Sequence, residues 1–392
     1  MSKMSVNPRP GLHDLERYRS MRDTHPVWRD SDSGAWNVYR YVEAAAILAD
    51  HQTFSSDLTG LFPEMPALTA GNIVAMDPPR HHQFRSLVSQ AFTPRAIAQL
   101  APRIEEITET LVDRIQRRTR IELVEDLAYP LPMTVIAELL GVPARDRRRF
   151  KTWADALLAG DNLDPTSKEA MEHAAAQMGK FHEYLGGLVQ QRRCRPRQDL
   201  LSDLVAAEIA GHCLSDPEIV GFATILLIAG HVTTTSLLGN ALLCLDEHPL
   251  VQDALRADPA RIPGAIEEAL RYRSPVTQVT RVTTREVQLG DQSIGPRQMI
   301  NVWLLSANHD ERQFEQPDDF VVDRHPNPHL AFGKGIHFCL GAPLARLEST
   351  IALGVLLRRF SNLRVDPAYK LESYGDPGFN GMKAVHLLGE AS

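Results

Sequence analysis

One stretch constrains this chain more than any other: Phe332-Gly333-Lys334-Gly335-Ile336-His337-Phe338-Cys339-Leu340-Gly341. A single cysteine sits in a glycine-flanked loop. Behind it, Leu340-Gly341-Ala342-Pro343-Leu344-Ala345-Arg346-Leu347-Glu348 reads as the opening of a helix. A sulfur there faces free backbone N–H groups and the positive end of a helix dipole. That setting favours thiolate, the form of cysteine that binds metal. The glycines let the backbone approach a large planar ligand closely.

The other cysteines, Cys194, Cys213 and Cys244, are widely spaced, and no C-x-x-C pair occurs. An iron–sulfur or zinc-ribbon site is therefore not expected. His325, His329 and His337 lie near Cys339, but their spacing does not supply the two close ligand pairs of a zinc site.

No linker, low-complexity tract or fixed-period repeat divides the 392 residues. The chain can bury one large core, so residues 1–392 read as a single domain, with 1–25 expected to be a flexible N-terminal extension. Its longest mostly apolar run, Ile219 to Ala229, is too short to span a bilayer. The opening Met1-Ser2-Lys3-Met4-Ser5-Val6-Asn7-Pro8 lacks the apolar core of a signal peptide. A cytoplasmic protein without a membrane anchor or disulfides is expected. The formal net charge of −7 gives no reason to expect nucleic-acid binding. Two basic clusters, Arg145 with Arg147-Arg148-Arg149 and Arg192-Arg193-Cys194-Arg195-Pro196-Arg197, read as solvated helix ends or loops.

Helical periodicity dominates. It predicts a helix over Ile97 to Ile115. Ser215-Asp216-Pro217-Glu218 predicts another, with a Ser cap, early acids and Pro near its start, running to about Leu245. A shorter helix follows Asp258-Pro259 and ends near Arg273, because Pro275 follows Ser274. Strands are expected at Ala35 to Tyr39, Val276 to Val282, Val287 to Leu289 and Met299 to Val302. The fold class is mainly α with small β-sheets.

The long helix reads Ala229-Gly230-His231-Val232-Thr233-Thr234-Thr235 at its centre. Glycine inside a helix is locally unfavourable, and threonine can bond back to the i−4 carbonyl and bend it. Gly230 followed by Thr233 suits a local opening of the helix. In Glu267-Glu268-Ala269-Leu270-Arg271, Glu268 and Arg271 share a helix face and can pair. On an exposed helix that pair would contribute little. Asp77-Pro78-Pro79-Arg80-His81-His82-Gln83-Phe84-Arg85 puts His81 and Arg85 on one face.

The stretch 332–341 resembles the haem-binding signature of the cytochrome P-450 family, F-x-x-G-x-x-x-C-x-G, and matches it at Phe332, Gly335, Cys339 and Gly341. The helix centre resembles the family's A/G-G-x-D/E-T-T. The pair Glu268 and Arg271, with Arg324 in Asp323-Arg324-His325-Pro326-Asn327-Pro328-His329, resembles its structural triad, and 77–85 resembles D-P-P-x-H-x-x-x-R. The resemblance runs from about Pro26 to beyond Leu363. It implies a cytochrome P-450 fold of many helices around haem b. It further implies Cys339 as the iron ligand and Phe332 and Gly341 in the cofactor loop. His81, Arg85, Arg281 and His337 would contact the propionates. Glu268, Arg271 and Arg324 would brace the region beneath the haem. Gly230 and Thr233 would lie at the dioxygen site, where the threonine hydroxyl helps to pass protons.

The family's acid position holds Val232, which can neither carry a proton nor hydrogen-bond. Protons arrive through Thr233 and water alone, or the substrate supplies a polar group, or the reaction needs less proton delivery. The last case covers peroxide-driven oxidation and oxidative coupling. His231 is read as structural.

Leu58 to Ile73 is expected to form a lid carrying Leu58, Leu61, Phe62, Met65, Leu68 and Ile73. Leu226, Ala229, Val232, Val276, Thr277, Val279 and Phe379 are the other candidate walls, with Thr277 and Gln278 adding polarity. This pocket suits a mainly apolar small molecule. The resemblance implies a soluble bacterial-type haem-thiolate monooxygenase of secondary metabolism that hydroxylates or epoxidises a free or carrier-bound substrate. Electrons come from a separate ferredoxin and ferredoxin reductase. Arg80, Arg95 and Lys334 are candidates for their docking patch, and a monomer is expected. A haem sensor or carrier without turnover is the rival from another class; Thr233 beside Gly230 argues against it.

Overall fold

Local chemistry starts the longest helix. Glu218 reaches back to accept from the Ser215 N–H at 2.9 Å and its hydroxyl at 2.8 Å, and Pro217 occupies the first turn. This closes the exposed N–H groups of the first turn. The helix then runs Asp216–Glu247, two residues beyond the expected end. Its composition alone would suit a membrane span, with mean hydropathy 1.6 over its most apolar window. Yet 61% of that window is buried inside the protein, so its apolar faces meet other helices rather than lipid.

The computed structural model describes residues 12, 14–61, 70–118, 120–147, 149–150, 152–153, 168–209, 211–375 and 377–391. The described helices are α1 (Leu15–Thr24), α2 (Tyr41–Ala49), α3 (Arg80–Val88), α4 (Pro94–Ala98), α5 (Ala101–Ile115), α6 (Pro130–Leu139), α7 (Lys168–Cys194), α8 (Leu200–Ala206), α9 (Asp216–Glu247), α10 (Pro249–Ala257), α11 (Ile262–Tyr272), α12 (Leu304–Asn308) and α13 (Ala342–Arg359). Helix α9 packs against α6, α7, α11 and α13, and α13 in turn packs against α5. One apolar cluster links these helices, from Leu12 to Leu387. Each fully buried Leu or Ile in it contributes about 1.5–3 kcal/mol relative to exposure.

A five-stranded sheet stands beside this core in the order β1 (Val27–Arg29), β2 (Trp36–Val38), β10 (Met299–Trp303), β7 (Gln278–Thr283) and β3 (Phe54–Ser55). Strands β2 and β10 pair in parallel, Trp36 opposite Ile300; the other neighbours are antiparallel. The remaining strands are β4 (Arg120–Glu122), β5 (Glu208–Ile209), β6 (His212–Cys213), β8 (Val287–Leu289), β9 (Gln292–Ile294), β11 (Phe360–Val365) and β12 (His386–Ala391). They form one three-stranded sheet and two hairpins.

Several expectations need correction. The helix over Ile97 to Ile115 is two helices, because the chain breaks at Gln99 and Leu100 ahead of Pro102 in the first turn of α5. Part of the N-terminal extension is built into the fold. Tyr18 packs on Tyr39 and Trp303, while buried Arg22 donates to the Ser306 carbonyl at 3.1 Å and to Glu311 at 3.0 Å. The second basic cluster is not wholly solvated: Arg192 is buried, paired with Asp199 at 2.6 Å and with the Gly141 carbonyl at 2.8 Å.

Candidate active site

Cys339 lies three residues before α13, and its N–H donates to the Phe332 carbonyl at 2.9 Å, closing the loop on itself. Gly335 has φ +72°, and a Cβ there would stand 2.5 Å from the Leu48 carbonyl oxygen of α2. That glycine is therefore required by the helix behind the loop, not by a ligand as expected. Gly341 is different: its missing side chain faces open space. The Cys339 thiol does not favour thiolate by itself. Burial pushes it up; the N–H of Gly341, the charge of Arg85, the N–H of Ala342 and the charge of Arg346 oppose that without overcoming it. Metal binding is what would displace the proton.

Four groups from three parts of the chain converge beside this loop. His81 and Arg85 come from α3, Arg281 from β7 and His337 from the loop itself. The His81 and His337 rings are 4.4 Å apart. Neither ring nitrogen of His81 has a hydrogen-bond partner among the described residues, nor does His337 Nε2. Arg85 donates to the Phe338 carbonyl and Arg281 to the Thr280 carbonyl, both at 2.8 Å. Burial, then the Arg85 charge, holds His81 down at about 4; burial, then the Arg281 charge, holds His337 at about 3. Burial also lowers both arginines. Four cationic-type groups thus crowd one another, with only Asp77 acting as an anion on His81 and Arg281. A ligand with two carboxylates would satisfy them, which is what haem carries.

The acid–base brace assembles as expected and is far more buried than an ordinary helix pair. Glu268 and Arg271 are both fully buried and meet through two bonds, at 2.7 and 3.0 Å. Arg324 Nε donates to both Glu268 oxygens, at 3.1 and 3.2 Å. Arg271 also holds the carbonyls of Asn308, Pro317 and Asp319 at 2.7–2.9 Å. The brace thereby ties α11 to the meander that leads to the Cys339 loop.

One cluster on this side was not foreseen. Arg346 of α13 grips Glu267 through two bonds, at 2.5 and 2.9 Å, and its guanidinium lies 4.6 Å from the centre of the Phe332 ring. His329 approaches the same carboxylate at 3.2 Å. Burial would raise Glu267, but His329 and Arg346 outweigh it and hold the acid at about 2. The sequence carried a signal, since Arg346 follows the cysteine motif by two helical turns.

The middle of α9 is open where its flanks are buried. Ala229 is exposed and Gly230, Val232 and Thr233 are half-buried within an otherwise enclosed helix. The Thr233 hydroxyl donates to the Ala229 carbonyl at 2.7 Å, the expected i−4 bond. A Cβ on Gly230 would press Ile136 at 3.1 Å, so the glycine admits α6 closely. His231 is buried edge-on to Tyr129, ring centres 4.6 Å apart.

Among the pocket candidates, Val276 pairs with Phe379 and both are half-buried, as are Leu61 and Val279. Leu226 is buried at the edge of the open stretch of α9. Phe62, Met65 and Leu68 lie outside the described residues. Ile73 packs inward into the apolar core, and the Thr277 hydroxyl donates to the Pro377 carbonyl, so it keeps only its acceptor capacity for a ligand. Arg80 is engaged by Glu218, while Arg95 and Lys334 are exposed. Surface cavities of about 930 and 380 Å³ share no lining residue with any of these groups. The chemistry converges on Cys339 instead. No group of three metal-ligating His, Cys, Asp or Glu occurs among the described residues.

The Cytochrome P450 family profile matches residues 12–373, beginning ahead of Pro26. The chain is 44% identical over 381 residues to cyclomarin C epoxidase CymV of Salinispora arenicola, covering 96% of each chain. It is 43% identical over 368 residues to erythromycin C-12 hydroxylase of Saccharopolyspora erythraea, covering 92% of each. The crystal structure of HmtT, involved in himastatin biosynthesis, superposes with TM-score 0.87 at 47% identity, covering 95% of this chain and 96% of that one. The chain belongs to the cytochrome P450 family. It is a monooxygenase with a haem cofactor, and it acts on a small molecule with electrons from a redox partner.

Proposed function

We propose that this monooxygenase hydroxylates or epoxidises a bulky, mainly apolar secondary metabolite, and that Cys339 is its iron ligand. The observation that carries the site assignment is the cluster of His81, Arg85, Arg281 and His337 beside the Cys339 loop, with both ring nitrogens of His81 and Nε2 of His337 buried without a partner among the described residues. These four would hold the haem propionates, and the imidazoles regain hydrogen-bond partners in doing so. Gly341 leaves room for the macrocycle and Phe332 frames the loop, pinned by Arg346. When bound, haem supplies the iron that activates dioxygen. Glu268, Arg271 and Arg324 keep the loop in register beneath it.

On the other side, Gly230 and Thr233 form the groove for dioxygen, and Thr233 presents a hydroxyl that can pass a proton. Ala229, Val232, Leu226, Val276, Val279, Phe379, Leu61 and Phe62 would exclude water from the substrate. The relatives named for cyclomarin C and erythromycin give the substrate class its support. A ferredoxin with its reductase would dock over exposed Arg95, Lys334 and Phe338, in the cytoplasm, on a chain working as one domain.

The test is a ferric-haem absorbance titration of the holoenzyme with cyclomarin C, erythromycin B and simple fatty acids. Either natural product is expected to displace water from the iron, seen as a low- to high-spin shift, at lower concentration than the fatty acids. A shift with fatty acids alone would reject the bulky-metabolite reading.

A further inference from the structure

Val232 deprives Thr233 of an adjacent acid, but the same helix carries polar side chains at positions where a core helix would be apolar. Thr233, Ser236, Asn240 and Glu247 recur at spacings of three, four and seven. They therefore lie on one face of α9. At about 1.5 Å per residue the stripe extends about 21 Å, from the open middle of the helix to its C-terminal end. Ser236 and Asn240 are 3% and 0% exposed.

The turn 377–381 closes over this stripe. Asn240 Nδ2 donates to the carbonyls of Asn380 and Arg273, each at 2.8 Å, and the Asn380 N–H donates to the Pro275 carbonyl at 2.8 Å. Gly381 lies directly against Ser236: a Cβ on it would stand 2.9 Å from the Ser236 Cβ and from Tyr374 Cε2. Helix and turn thus enclose a narrow seam. Its outer end is Glu247, whose side chain is 23% exposed and pairs with Arg273 at 2.5 Å.

Along the seam, Ser236 Oγ, Asn240 Oδ1, Asn380 Oδ1, Asn380 Nδ2 and Glu247 Oε2 are buried with no partner among the described residues. Buried polar atoms are almost always bonded to protein or to ordered water. A cluster of this length, with donors and acceptors mixed and its one ion pair at the rim, suits water rather than an ion. A buried water needs two to four polar partners, and Ser236, Asn240 and Asn380 offer them in the inner part of the seam, with Glu247 two helical turns further on.

We propose that Ser236, Asn240 and Asn380 order a file of water molecules that carries protons from Glu247 to Thr233, in place of an acid at position 232. This rests on the monooxygenase activity. Insertion of one oxygen atom, with release of the other as water, consumes one dioxygen, two electrons and two protons. The electrons come from the redox partner. Each proton advances when one water accepts it and releases another ahead. The Ser236 hydroxyl can do both, whereas Asn240 and Asn380 only hold waters in line. Glu247 recovers its proton from solvent, so the file ends unchanged.

Two measurements on the holoenzyme test the proposal. The first is a crystal structure of the ferric protein that resolves waters. It is expected to place waters within hydrogen-bond distance of Ser236 Oγ, Asn240 Oδ1 and the Asn380 side chain; a dry seam overturns the relay. The second compares the wild type with Ser236→Ala and Asn240→Leu, measuring NADH and dioxygen consumption through a surrogate ferredoxin and reductase in H2O and D2O. Each variant is expected to slow by about tenfold or more, as when a positioned proton donor is lost. The solvent isotope effect and the share of electrons appearing as hydrogen peroxide should both rise. Carbon monoxide spectra confirm an intact thiolate-bound haem; if a variant does not fold, the wild-type waters decide. Unchanged isotope effects and peroxide shares in folded variants overturn the relay alone. A wild type that consumes no dioxygen would instead overturn the monooxygenase activity on which it rests.

Discussion

Replacing one atom in Cys339→Ser is expected to abolish oxygen insertion while leaving the fold standing. The reason lies in what the loop does and does not supply. Its backbone is closed by the bond from Cys339 N–H to Phe332 and by the fit of Gly335 against α2, neither of which involves sulfur. The serine variant should therefore keep its helical circular dichroism and still admit haem through the four-residue collar. What disappears is the soft, electron-rich ligand that pushes density toward O–O cleavage. The expected spectrum of the ferrous carbon monoxide complex lacks the long-wavelength band of thiolate ligation. Product formation should fall by more than about 10³-fold, roughly 4 kcal/mol of lost transition-state stabilisation. A serine variant that keeps both the thiolate spectrum and turnover would move the iron ligand to another residue.

The second large effect concerns stability. Glu268→Ala should cost about 3–5 kcal/mol, because it strands fully buried Arg271 beside half-released Arg324. The Val321 N–H and the Asn327 amide lose their acceptor as well. Against a total of about 5–15 kcal/mol for a typical domain, this is a large share. Chemical denaturation of the holoenzyme should show the midpoint falling, with haem released at lower denaturant than in the wild type. A loss below about 1 kcal/mol would place this brace with exposed ion pairs and contradict its structural role.

The sequence was most legible where chemistry is local. Ser215, Pro217 and Glu218 mark the start of α9, because a helix N-terminus is satisfied by residues within four positions of it. The Cys339 loop was legible for the same reason. It was less legible where one partner lies far along the chain. Arg192 looks like part of a solvated basic run until the Gly141 carbonyl, 51 residues earlier, joins Asp199 in holding it. Thr277 looks like a free polar wall, yet its hydroxyl proton goes to the Pro377 carbonyl 100 residues away. Arg80 looks like a docking charge until the start of α9 claims it. The break between α4 and α5 was hidden because the apolar spacing stays in phase across Gln99 and Leu100. At Cys339 the helix N-terminus that favours thiolate is visible in sequence, whereas the burial that opposes it is not.

The collar illustrates the opposite case, in which an expectation gains physical content from the fold. His81, Arg85, Arg281 and His337 are unremarkable as single residues. Their convergence, with both His81 ring nitrogens and His337 Nε2 unpartnered among the described residues and every cationic form disfavoured by burial, is what turns four matches into a site suited to two carboxylates.

The most direct measurement is the fate of labelled dioxygen. The holoenzyme, reduced through a ferredoxin and its reductase, would be run under 18O2 with whichever natural product gives the spin shift, and the product weighed by mass spectrometry. The account predicts a single oxidised product carrying one 18O atom, with the other label in water. A product with no label, or consumption of reductant that ends only in hydrogen peroxide, would contradict it.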